Sequence, residues 1–510
     1  MIIPLTLLMV SCSARVRETP VAPMEFTISP SKDNHPISQY IYGANQPDWK
    51  VDQGRFTSTR VGGNRMTAYN WETNASNAGN DYKHQNDNYL GGGDIPGEVE
   101  LAALRQAQSH DAAMILTVPM AGYVSADKNG DGDVSATPDF IHKRFVKSVA
   151  RKGKAFTTTP DIKDGIVYQD EFVSLVERMK KPDPPVWYSL DNEPDLWNST
   201  HERLWPKPPT YVQMLQISKD FASAIKDVAP KSLVFGPASY GWQGYVRLQN
   251  APDANDRDFL DYYLDNMKAA ESVYKKRILD VLDIHWYPEA KGNGKRITDG
   301  ASENAEARMQ APRSLWDPSY VEDSWISENL GKKPITLIPL MKKKIEQHYP
   351  GTLLAITEYN FGAGGHISGG IAQADILGIF GREGVFAAAL WGLSDNDKFI
   401  RAGFDAYRNY DGKGGRFGET SVQAKCSDNN SASIYASKRG DKIIVVAINK
   451  TSSKQSFKMT IEGGFTGTAK SYVITSSNPA PQPGQPVDFR VGVGQGVLLE
   501  TSITVLELGK

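Results

Sequence analysis

The sequence has little of several features that would narrow its function at once. It holds two cysteines in 510 residues, Cys12 and Cys426. We expect the first to be removed or lipidated, so no disulfide framework is possible within the mature chain. The formal net charge of −2 gives no support for nucleic acid or an anionic membrane as partner. These absences point away from a disulfide scaffold and from a nucleic-acid-binding protein.

The chain begins with a short apolar run, residues 1–14, that ends in small residues. It is too short to span a bilayer and is typical of a secretory signal, although the positively charged residues with which such signals begin are missing. The stretch before Cys12 is similar to a bacterial lipoprotein cleavage box, with Met9 where leucine is usual. We expect an exported protein, extracellular or anchored to the bacterial cell envelope through Cys12. The alternative is a disordered start.

Length and composition are those of a globular protein with one large and one smaller domain. The hydrophobic fraction of 40% and charged fraction of 23% are ordinary. Ten tryptophans and 22 tyrosines are more informative, because sugars stack their apolar faces on aromatic rings. Most of these rings are nevertheless expected in the core.

Eight strand-like runs alternate with helical patterns between residues 38 and 414, which predicts a (β/α)8 TIM barrel of the α/β class. The predicted strands are Gln39–Ala44, Phe56–Gly62, Ala112–Val118, Val186–Leu190, Ser232–Gly236, Leu279–Trp286, Thr352–Glu358 and Ala387–Trp391.

The pattern changes near Gly415 to short alternating segments without a helical period, which predicts a C-terminal all-β sandwich over residues 415–510. Residues 24–37 are predicted to supply an N-terminal strand to that sandwich, and residues 1–23 are signal and linker. Because the C-terminal region has no tryptophan, we expect it to pack on the barrel rather than bind sugar.

Two of the predicted strands deliver a glutamate to the point where the chain turns. Glu193 follows the fourth strand in the sequence Asp191-Asn192-Glu193-Pro194, and Glu358 ends the seventh. Two such carboxyls about 5 Å apart are what retaining glycoside hydrolysis needs, one as acid/base and one as nucleophile. The alternative for residues 191–194 is an ordinary strand-end turn, since turns are rich in these residue types.

Four motifs resemble glycoside hydrolase family 44: RVGGNRMTAYNWETNASNAGNDY, VWYSLDNEPDLWNSTH, WDPSYVEDSW and ITEYNFGAGGHISGGIAQADILGIFGREGVFAAALW. The resemblance implies a TIM barrel with a β-sandwich and retaining cleavage of β-1,4-glucans, often xyloglucan. It also implies that Glu193 is the acid/base and Glu358 the nucleophile.

Other residues near the strand ends are candidates for binding substrate. Arg60 is expected to orient the nucleophile, as in related enzymes, or else to form a structural ion pair. Asn192 is expected to hold the sugar 2-hydroxyl, and Tyr287 to donate to Glu358. His285 and Trp286 are expected to line the cleft, with a core histidine as the alternative. The candidate aromatic platforms are Trp71, Trp197, Trp325 and Trp391, then Trp205, Trp242 and Trp316.

Residues 127–133 copy the first half of an EF-hand loop, with oxygen ligands at Asp127, Asn129, Asp131 and Asp133. Pro138 occupies the twelfth loop position, where an EF-hand has a bidentate glutamate. A bound calcium ion would therefore need another ligand from outside residues 127–133, such as Asp139, Glu72 or Asp170. The family resemblance implies a structural calcium near the barrel, and catalysis by paired carboxylates needs no cofactor. The alternative is a solvated polar turn.

The sequence therefore predicts a retaining endo-β-1,4-glucanase with xyloglucanase activity, whose partner is a β-glucan. Mannan- or xylan-preferring cleavage on the same barrel is an alternative, and so is a polysaccharide-binding protein without activity. A metal-dependent hydrolase is disfavoured because His285 stands largely alone among strand-end residues. No protein partner is implied, and a monomer is expected.

Overall fold

The computed structural model describes residues 22–300 and 302–509. The predicted export segment, with Cys12, lies outside these residues. Within them, every helix is too short or too polar to cross a bilayer.

Eight parallel strands close into a barrel, each paired with the next in chain order and the eighth with the first. The predicted barrel is therefore confirmed. Barrel strands one to eight are Gly43–Asn45, Ser58–Val61, Ala113–Val118, Val186–Leu190, Val234–Ser239, Val281–Trp286, Leu353–Tyr359 and Ala387–Leu390.

Burial explains why these strands appear in the sequence as continuous apolar runs. All their residues except Leu353 are buried, since side chains face either the filled barrel interior or the surrounding helices. Trp187 and Phe235 fill the lower interior together with small alanines from strands three, seven and eight. The barrel thus has a solid base, and polar groups gather at its upper, carboxyl end.

The first strand is shorter than predicted. Residues Gln39–Ile41 form a 3₁₀ helix, because the Ser38 hydroxyl accepts from Tyr40 N and caps it, and the strand begins only at Gly43. The long helices are Glu98–Ser109, Gln169–Met179, Tyr211–Val228, Phe259–Tyr274, Leu337–His348, Ile367–Glu383 and Lys398–Arg408.

Short elements fill the loops above and beside the barrel. The short helices are Asn64–Thr67, Phe140–Arg144, Trp197–Thr200, Trp242–Arg247, Ala305–Gln310 and Trp325–Asn329, and the other 3₁₀ turns are Gly79–Asp81, Val134–Ala136, Pro194–Leu196 and Ala311–Leu315. The short strands are Ser76–Asn77, Asn86–Asp87, Tyr123–Ser125, Phe145–Val149, Ile166–Tyr168, Lys291–Gly292 and Lys295–Arg296.

The C-terminal region is built from strands alone, joined by two strands from the start of the described chain. Met24–Ser29 pairs in parallel with Gln455–Ile461 and antiparallel with Thr420–Cys426. The series of hydrogen-bonded strands that begins at Met24–Ser29 therefore ends on a strand that pairs with Met24–Ser29 again. The other strands are His35–Pro36, Ala432–Arg439, Lys442–Asn449, Gly467–Thr475, Asn478–Pro483, Val487–Arg490, Val493–Leu498 and Ser502–Leu508.

An ion pair joins this β region to the barrel helix that follows strand seven. Lys450 Nζ lies 2.8 Å from Asp375 Oδ2, and both side chains are almost completely buried. Tyr435 OH donates to the other Asp375 oxygen at 2.6 Å. The Tyr435 ring packs directly on Gly378 of the same helix, where a Cβ atom would lie 2.2 Å from it. Charge and close packing thus hold the two units together.

We expect Lys450→Met to lower the free energy of unfolding by about 3 kcal/mol, because it leaves the Asp375 carboxylate buried without its counter-ion. Lys32→Met is the matched control, since Lys32 and its partner Glu462 are both exposed and such a pair contributes less than about 1 kcal/mol. Chemical denaturation of the two variants measures the difference. Equal losses would show that the buried pair is not a structural tie.

Candidate active site

The carboxyl end of barrel strand four carries Glu193 on a turn with an uncommon backbone. The strand ends at Leu190, and Asp191 and Glu193 follow with φ of 63° and 45°, in the left-handed region. Pro194 then begins a 3₁₀ helix, and Glu193 N donates to Ala238 O at 3.0 Å. The turn brings the Glu193 carboxyl beside the ends of neighbouring strands.

A buried carboxylate holds this turn in place. Asp191 is fully buried and accepts from Thr67 Oγ1 at 2.6 Å and from Asn192 N at 2.7 Å. It also accepts from Met120 N and, at 3.3 Å, from Trp197 Nε1. Burial raises the pKa of Asp191 to about 6, and the hydrogen bonds oppose that rise. Asp191 therefore fixes the left-handed turn from within the core.

Glu358, in barrel strand seven, is held by a donor at each oxygen. Arg60 Nη1 donates to Oε1 at 2.7 Å, and Tyr287 OH donates to Oε2 at 2.8 Å. Arg60 lies in strand two and is fully buried, whereas Tyr287 follows the end of strand six. Charge-assisted bonds of this kind are short and directional, so they hold the carboxylate in one orientation.

The same arginine also reaches the fourth strand. Arg60 Nη2 donates to Asn192 Oδ1 at 2.8 Å, and the Gly63 backbone N–H donates to the same oxygen at 3.1 Å. Because this oxygen is occupied twice, the Nδ2 amide is the part of Asn192 able to donate to another acceptor. Arg60 thus aligns Asn192 and Glu358 with one planar group.

The two glutamates meet across the top of the barrel. One oxygen of each, together with a ring nitrogen of His285, lie within 4.8 Å of one another. His285 Nδ1 is 2.9 Å from Glu193 Oε1 and 3.6 Å from Glu358 Oε2. The expectation that His285 stands alone is therefore wrong. The donor set nevertheless suits a cation poorly, because the Arg60 guanidinium already lies against Glu358.

Burial gives the groups of this site different charges at neutral pH. Burial raises the pKa of Glu193 to about 7. The positive charge of Arg60 opposes this rise, and the negative charge of Asp81 adds to it. Burial lowers the pKa of His285 to about 3, so the imidazole is neutral. It also raises the pKa of the Tyr287 hydroxyl far above its usual value, so this group remains a donor.

The chain is similar to known proteins over most of its length. Residues 75–290 match the model of glycoside hydrolase family 44. The structure of a family 44 endoglucanase from Clostridium thermocellum is similar with a TM-score of 0.90 and 39% identity, covering 96% of this chain and 100% of that one. The chain belongs to glycoside hydrolase family 44.

Other family 44 structures and relatives share this similarity. A Paenibacillus polymyxa xyloglucanase, solved with xyloglucan, has a TM-score of 0.90 and 37% identity, covering 96% of this chain and 99% of its own. Endoglucanase A of Paenibacillus lautus is 44% identical over 448 residues, which are 83% of this chain. The chain spans 63% of the length of that protein.

Three tryptophans predicted to line the cleft belong instead to the core of this family 44 chain. Trp71, Trp197 and Trp286 are each at most 1% exposed. Trp71 Nε1 donates to Tyr168 O, and Trp197 Nε1 to Asp191. The predictions that Trp71 and Trp197 are sugar platforms and that Trp286 lines the cleft are wrong, because all three rings are buried.

Trp391 has a different position. It directly follows strand eight, is half-buried, and its ring edge lies so near Gly63 that a Cβ atom there would be 2.5 Å from Cη2. Since Gly63 N–H is bonded to Asn192, the ring adjoins the centre of the site. Trp325 is half-buried at the start of a short helix, and its role as a platform stays a prediction.

The EF-hand-like loop does not fit calcium, because arginines occupy its carboxylates. Arg144 donates to Asp127 at 2.7 Å and to Asp131 at 2.6 Å, and Arg203 donates to Asp133 at 2.6 Å. Of the predicted calcium ligands Asp127, Asn129, Asp131 and Asp133, the three aspartates therefore suit a cation poorly. Guanidinium groups from outside the loop supply the positive charge that its oxygens need.

Sequence reasoning missed the buried acids around the site. Asp195 accepts from Ser239 Oγ at 2.5 Å, and Asp283 accepts from Thr357 Oγ1 at 2.7 Å. Burial raises the pKa of each to about 7. The position of Asp283 within an apolar strand was the available signal, because an acid there must face polar groups in the barrel interior.

We expect Asp191→Asn to lower kcat/KM about a hundredfold, because an amide nitrogen would face the N–H donors and displace the turn that carries Glu193. Asp375→Asn is the control, a buried aspartate at the junction with the β region. Both variants should unfold at lower temperature, but only Asp191→Asn should lose activity on soluble glucan. Full activity of Asp191→Asn would show that the turn keeps its shape without the carboxylate.

Proposed function

We propose that this chain is a retaining endo-β-1,4-glucanase that cleaves cellulose-type glucans and xyloglucan. The observation that carries the proposal is the approach of Glu193 and Glu358, whose facing atoms lie within 4.8 Å. Retaining enzymes hold their two carboxyl groups about 5–5.5 Å apart, whereas inverting enzymes leave room for a water at about 6.5–9.5 Å. So close an approach of the two glutamates supports direct attack by one carboxylate.

In the first step, the Glu358 carboxylate attacks the anomeric carbon while protonated Glu193 gives its proton to the departing sugar oxygen. The raised pKa of Glu193, about 7, keeps that proton available. Arg60 and Tyr287 fix the attacking carboxylate in one orientation. The bond from Glu358 to the sugar forms as the glycosidic bond breaks.

In the second step, Glu193 acts as base and removes a proton from water, which attacks the anomeric carbon and frees Glu358. While the sugar is attached to Glu358 as a glycosyl ester, Glu358 carries no negative charge. Its repulsion of an ionised Glu193 is therefore weaker. Neutral His285, 2.9 Å from Glu193, keeps the acid/base carboxyl in reach in both steps. Asn192 Nδ2 is the donor for the sugar 2-hydroxyl.

The substrate class rests on the relatives. They are named endoglucanase, xyloglucanase and, for a Caldicellulosiruptor saccharolyticus protein 40% identical over 482 residues, Beta-mannanase/endoglucanase A. This chain covers 35% of the length of that last protein. An open cavity of about 720 Å³ beside Trp391 supports internal cleavage of a long chain. Mannan or xylan preference remains the alternative.

The other parts of the chain have supporting roles in this proposal. The C-terminal strands form a two-layered sandwich whose own apolar core includes Phe26, Phe457 and Phe489. This sandwich supports the barrel through the Asp375–Lys450 junction and does not itself bind sugar. The chain is exported through its first residues and acts as a monomer outside the cell or on its envelope.

Glu358→Gln should abolish cleavage of xyloglucan, carboxymethyl cellulose and mixed-linkage β-glucan, because an amide cannot form the glycosyl ester. Glu193→Gln should lose about 10²–10⁴-fold on these polymers but much less on a dinitrophenyl glycoside, whose leaving group needs no acid. Reducing-end release from this panel, with mannan and xylan added, measures both effects and ranks the substrates.

Azide separates the two roles. It should rescue the Glu193→Ala variant and give a β-glycosyl azide, since attack occurs on the intermediate attached to Glu358. A Glu358→Gly variant should instead give an α-glycosyl azide. Unchanged polymer cleavage by both glutamine variants would overturn the roles assigned to the two glutamates, whereas polymer binding without any cleavage by the wild type would favour a polysaccharide-binding protein.

We expect kcat/KM to fall as pH rises through about 7, because Glu193 must be protonated to act and its pKa is about 7. The Asp81 charge raises that pKa, so Asp81→Asn should move the alkaline limb to lower pH. The movement should be small, since Asp81 is exposed and its charge is screened. Asp94→Asn, on a distant exposed side chain, should leave the limb in place. A move to higher pH would contradict the assignment.

We propose that the structural calcium implied by the family resemblance uses Glu72 rather than residues 127–133. Glu72 is 6% exposed. Burial, together with the charges of Asp164 and Glu171, raises its pKa to about 8. A divalent cation beside the carboxyl would stabilise its charged form. Calcium should raise the melting temperature of chelator-treated protein. Glu72→Gln should lose this increment and Asp131→Asn should keep it; the reverse pattern would refute the site.

A further inference from the structure

Barrel strand seven has one residue more than its neighbours just before the Glu358 carboxylate. In the pairing with strand six, Ile356 and Glu358 lie opposite two consecutive residues, so Thr357 is extra. In the pairing with strand eight, the register shifts in the same way between Ile356 and Tyr359. An extra residue of this kind is a β-bulge, which changes the direction of the side chains that follow it.

The bulge lets two successive side chains face the inside of the barrel. Side chains of a regular strand alternate between the two faces of the sheet, so every second residue shares a face. Ala355 lies in the barrel interior, but Tyr359 faces outward, where its ring packs on Phe380 of the helix that follows strand seven. The Glu358 carboxyl points inward instead, onto Arg60. The bulge therefore decides that Glu358, and not Tyr359, faces the centre of the site.

A buried carboxyl in strand six holds the extra residue. Thr357 Oγ1 donates to Asp283 Oδ1 at 2.7 Å, and both side chains are completely buried. Asp283 lies two positions before His285 in the same strand, so the two side chains face the same side of the sheet. Because the register gives Thr357 no partner in strand six, this side-chain bond ties it to that strand.

The acid at position 283 is costly for the strand. A carboxyl in a barrel interior is less stable than an apolar side chain of similar size, unless it is hydrogen-bonded. Asp283 receives its hydrogen bonds from Thr357, whereas its Oδ2 atom is buried without such a partner among residues 22–300 and 302–509. The bond to Thr357 is therefore the contact that accounts for an acid at this position.

The backbone of Thr357 is held from strand one. Asn45 Nδ2 donates to Thr357 O at 2.9 Å, and Asn45 Oδ1 accepts from Arg60 Nη1 at 3.3 Å. The same Arg60 nitrogen donates to Glu358 Oε1 at 2.7 Å. Thr357 is thus fixed through its hydroxyl and through its carbonyl. Because Glu358 is the next residue in the chain, a displacement of Thr357 moves that carboxylate relative to Arg60.

We propose that Asp283 and Thr357 are a positioning pair that aims the Glu358 carboxylate by fixing the bulge in strand seven. This inference rests on the proposed function. Both side chains are completely buried, so they act on a substrate only through Glu358. A displacement of about 1 Å in a catalytic group can cost about a hundredfold in rate. Since Asp191 holds the turn of Glu193 separately, loosening the pair should slow nucleophilic attack and leave the acid in place.

Trapping of the nucleophile measures this step by itself. Dinitrophenyl 2-deoxy-2-fluoro-β-cellobioside forms a stable ester with Glu358 as dinitrophenolate leaves, and this leaving group needs no acid. The amount of dinitrophenolate released in the burst counts the folded, active molecules. The rate of the burst measures how well the Glu358 carboxylate is aimed at the anomeric carbon.

We expect Thr357→Val, which removes the hydroxyl, to slow the burst about tenfold or more without reducing its size in the folded protein. Asp283→Ala should do the same. Thr357→Ser keeps a hydroxyl and Asp283→Asn keeps an acceptor oxygen, so both should retain most of the rate. Tyr435→Phe is the control, because it removes another buried hydroxyl that donates to an aspartate, Asp375, at the junction with the β region.

The outcomes separate this inference from the function on which it rests. No dinitrophenolate burst and no glucan cleavage by the wild type would overturn the proposed function itself. A burst of wild-type rate and size in either Thr357→Val or Asp283→Ala would overturn the positioning pair. A smaller burst at the wild-type rate would show that the two residues only support folding, and it would overturn the pair as well.

Discussion

One buried guanidinium organises the top of the barrel. Arg60 is fully buried, a costly place for a charge unless several groups compensate it. Glu358, Asn192 and Asn45 do so, and Asn45 Nδ2 continues the network to Thr357 O at 2.9 Å and Leu390 O at 3.3 Å. The ends of strands one, two, four, seven and eight are thereby joined by polar contacts. The geometry of the two carboxyls depends on this network more than on any single loop.

The parts predicted from sequence are those governed by local pattern and by barrel closure. Parallel strands end on the same side of a sheet, so a glutamate at the end of one strand and a glutamate at the end of another must approach each other in a closed barrel. Tyr287 was found by the same reasoning, as a residue at a strand end, whereas the role of Arg60 was implied by the resemblance to related enzymes. The start of strand one was misplaced because Gln39–Ile41 has the polarity of a strand end and is turned into a helix by a single serine cap.

The parts that were missed depend on distant residues. Whether a tryptophan after a strand faces solvent depends on which way its loop folds, and Trp71 and Trp286 could not be told from Trp391 by type or position. The oxygen spacing of residues 127–133 is equally compatible with a metal and with a guanidinium. Only the approach of Arg144 and Arg203 decides between them. Asp191 was treated as a turn former, although its role is to accept hydrogen bonds in the core.

The pairing of Met24–Ser29 with Gln455–Ile461 ties the start of the described chain to a segment more than 400 residues later. A ribosome adding about 5–20 residues per second takes roughly 20–90 s to supply that partner. During this time the first strand is an unpaired edge, and the barrel between the two can close first. The β region is therefore the last part to form. Its completion requires that the chain has been synthesised past Gln455–Ile461.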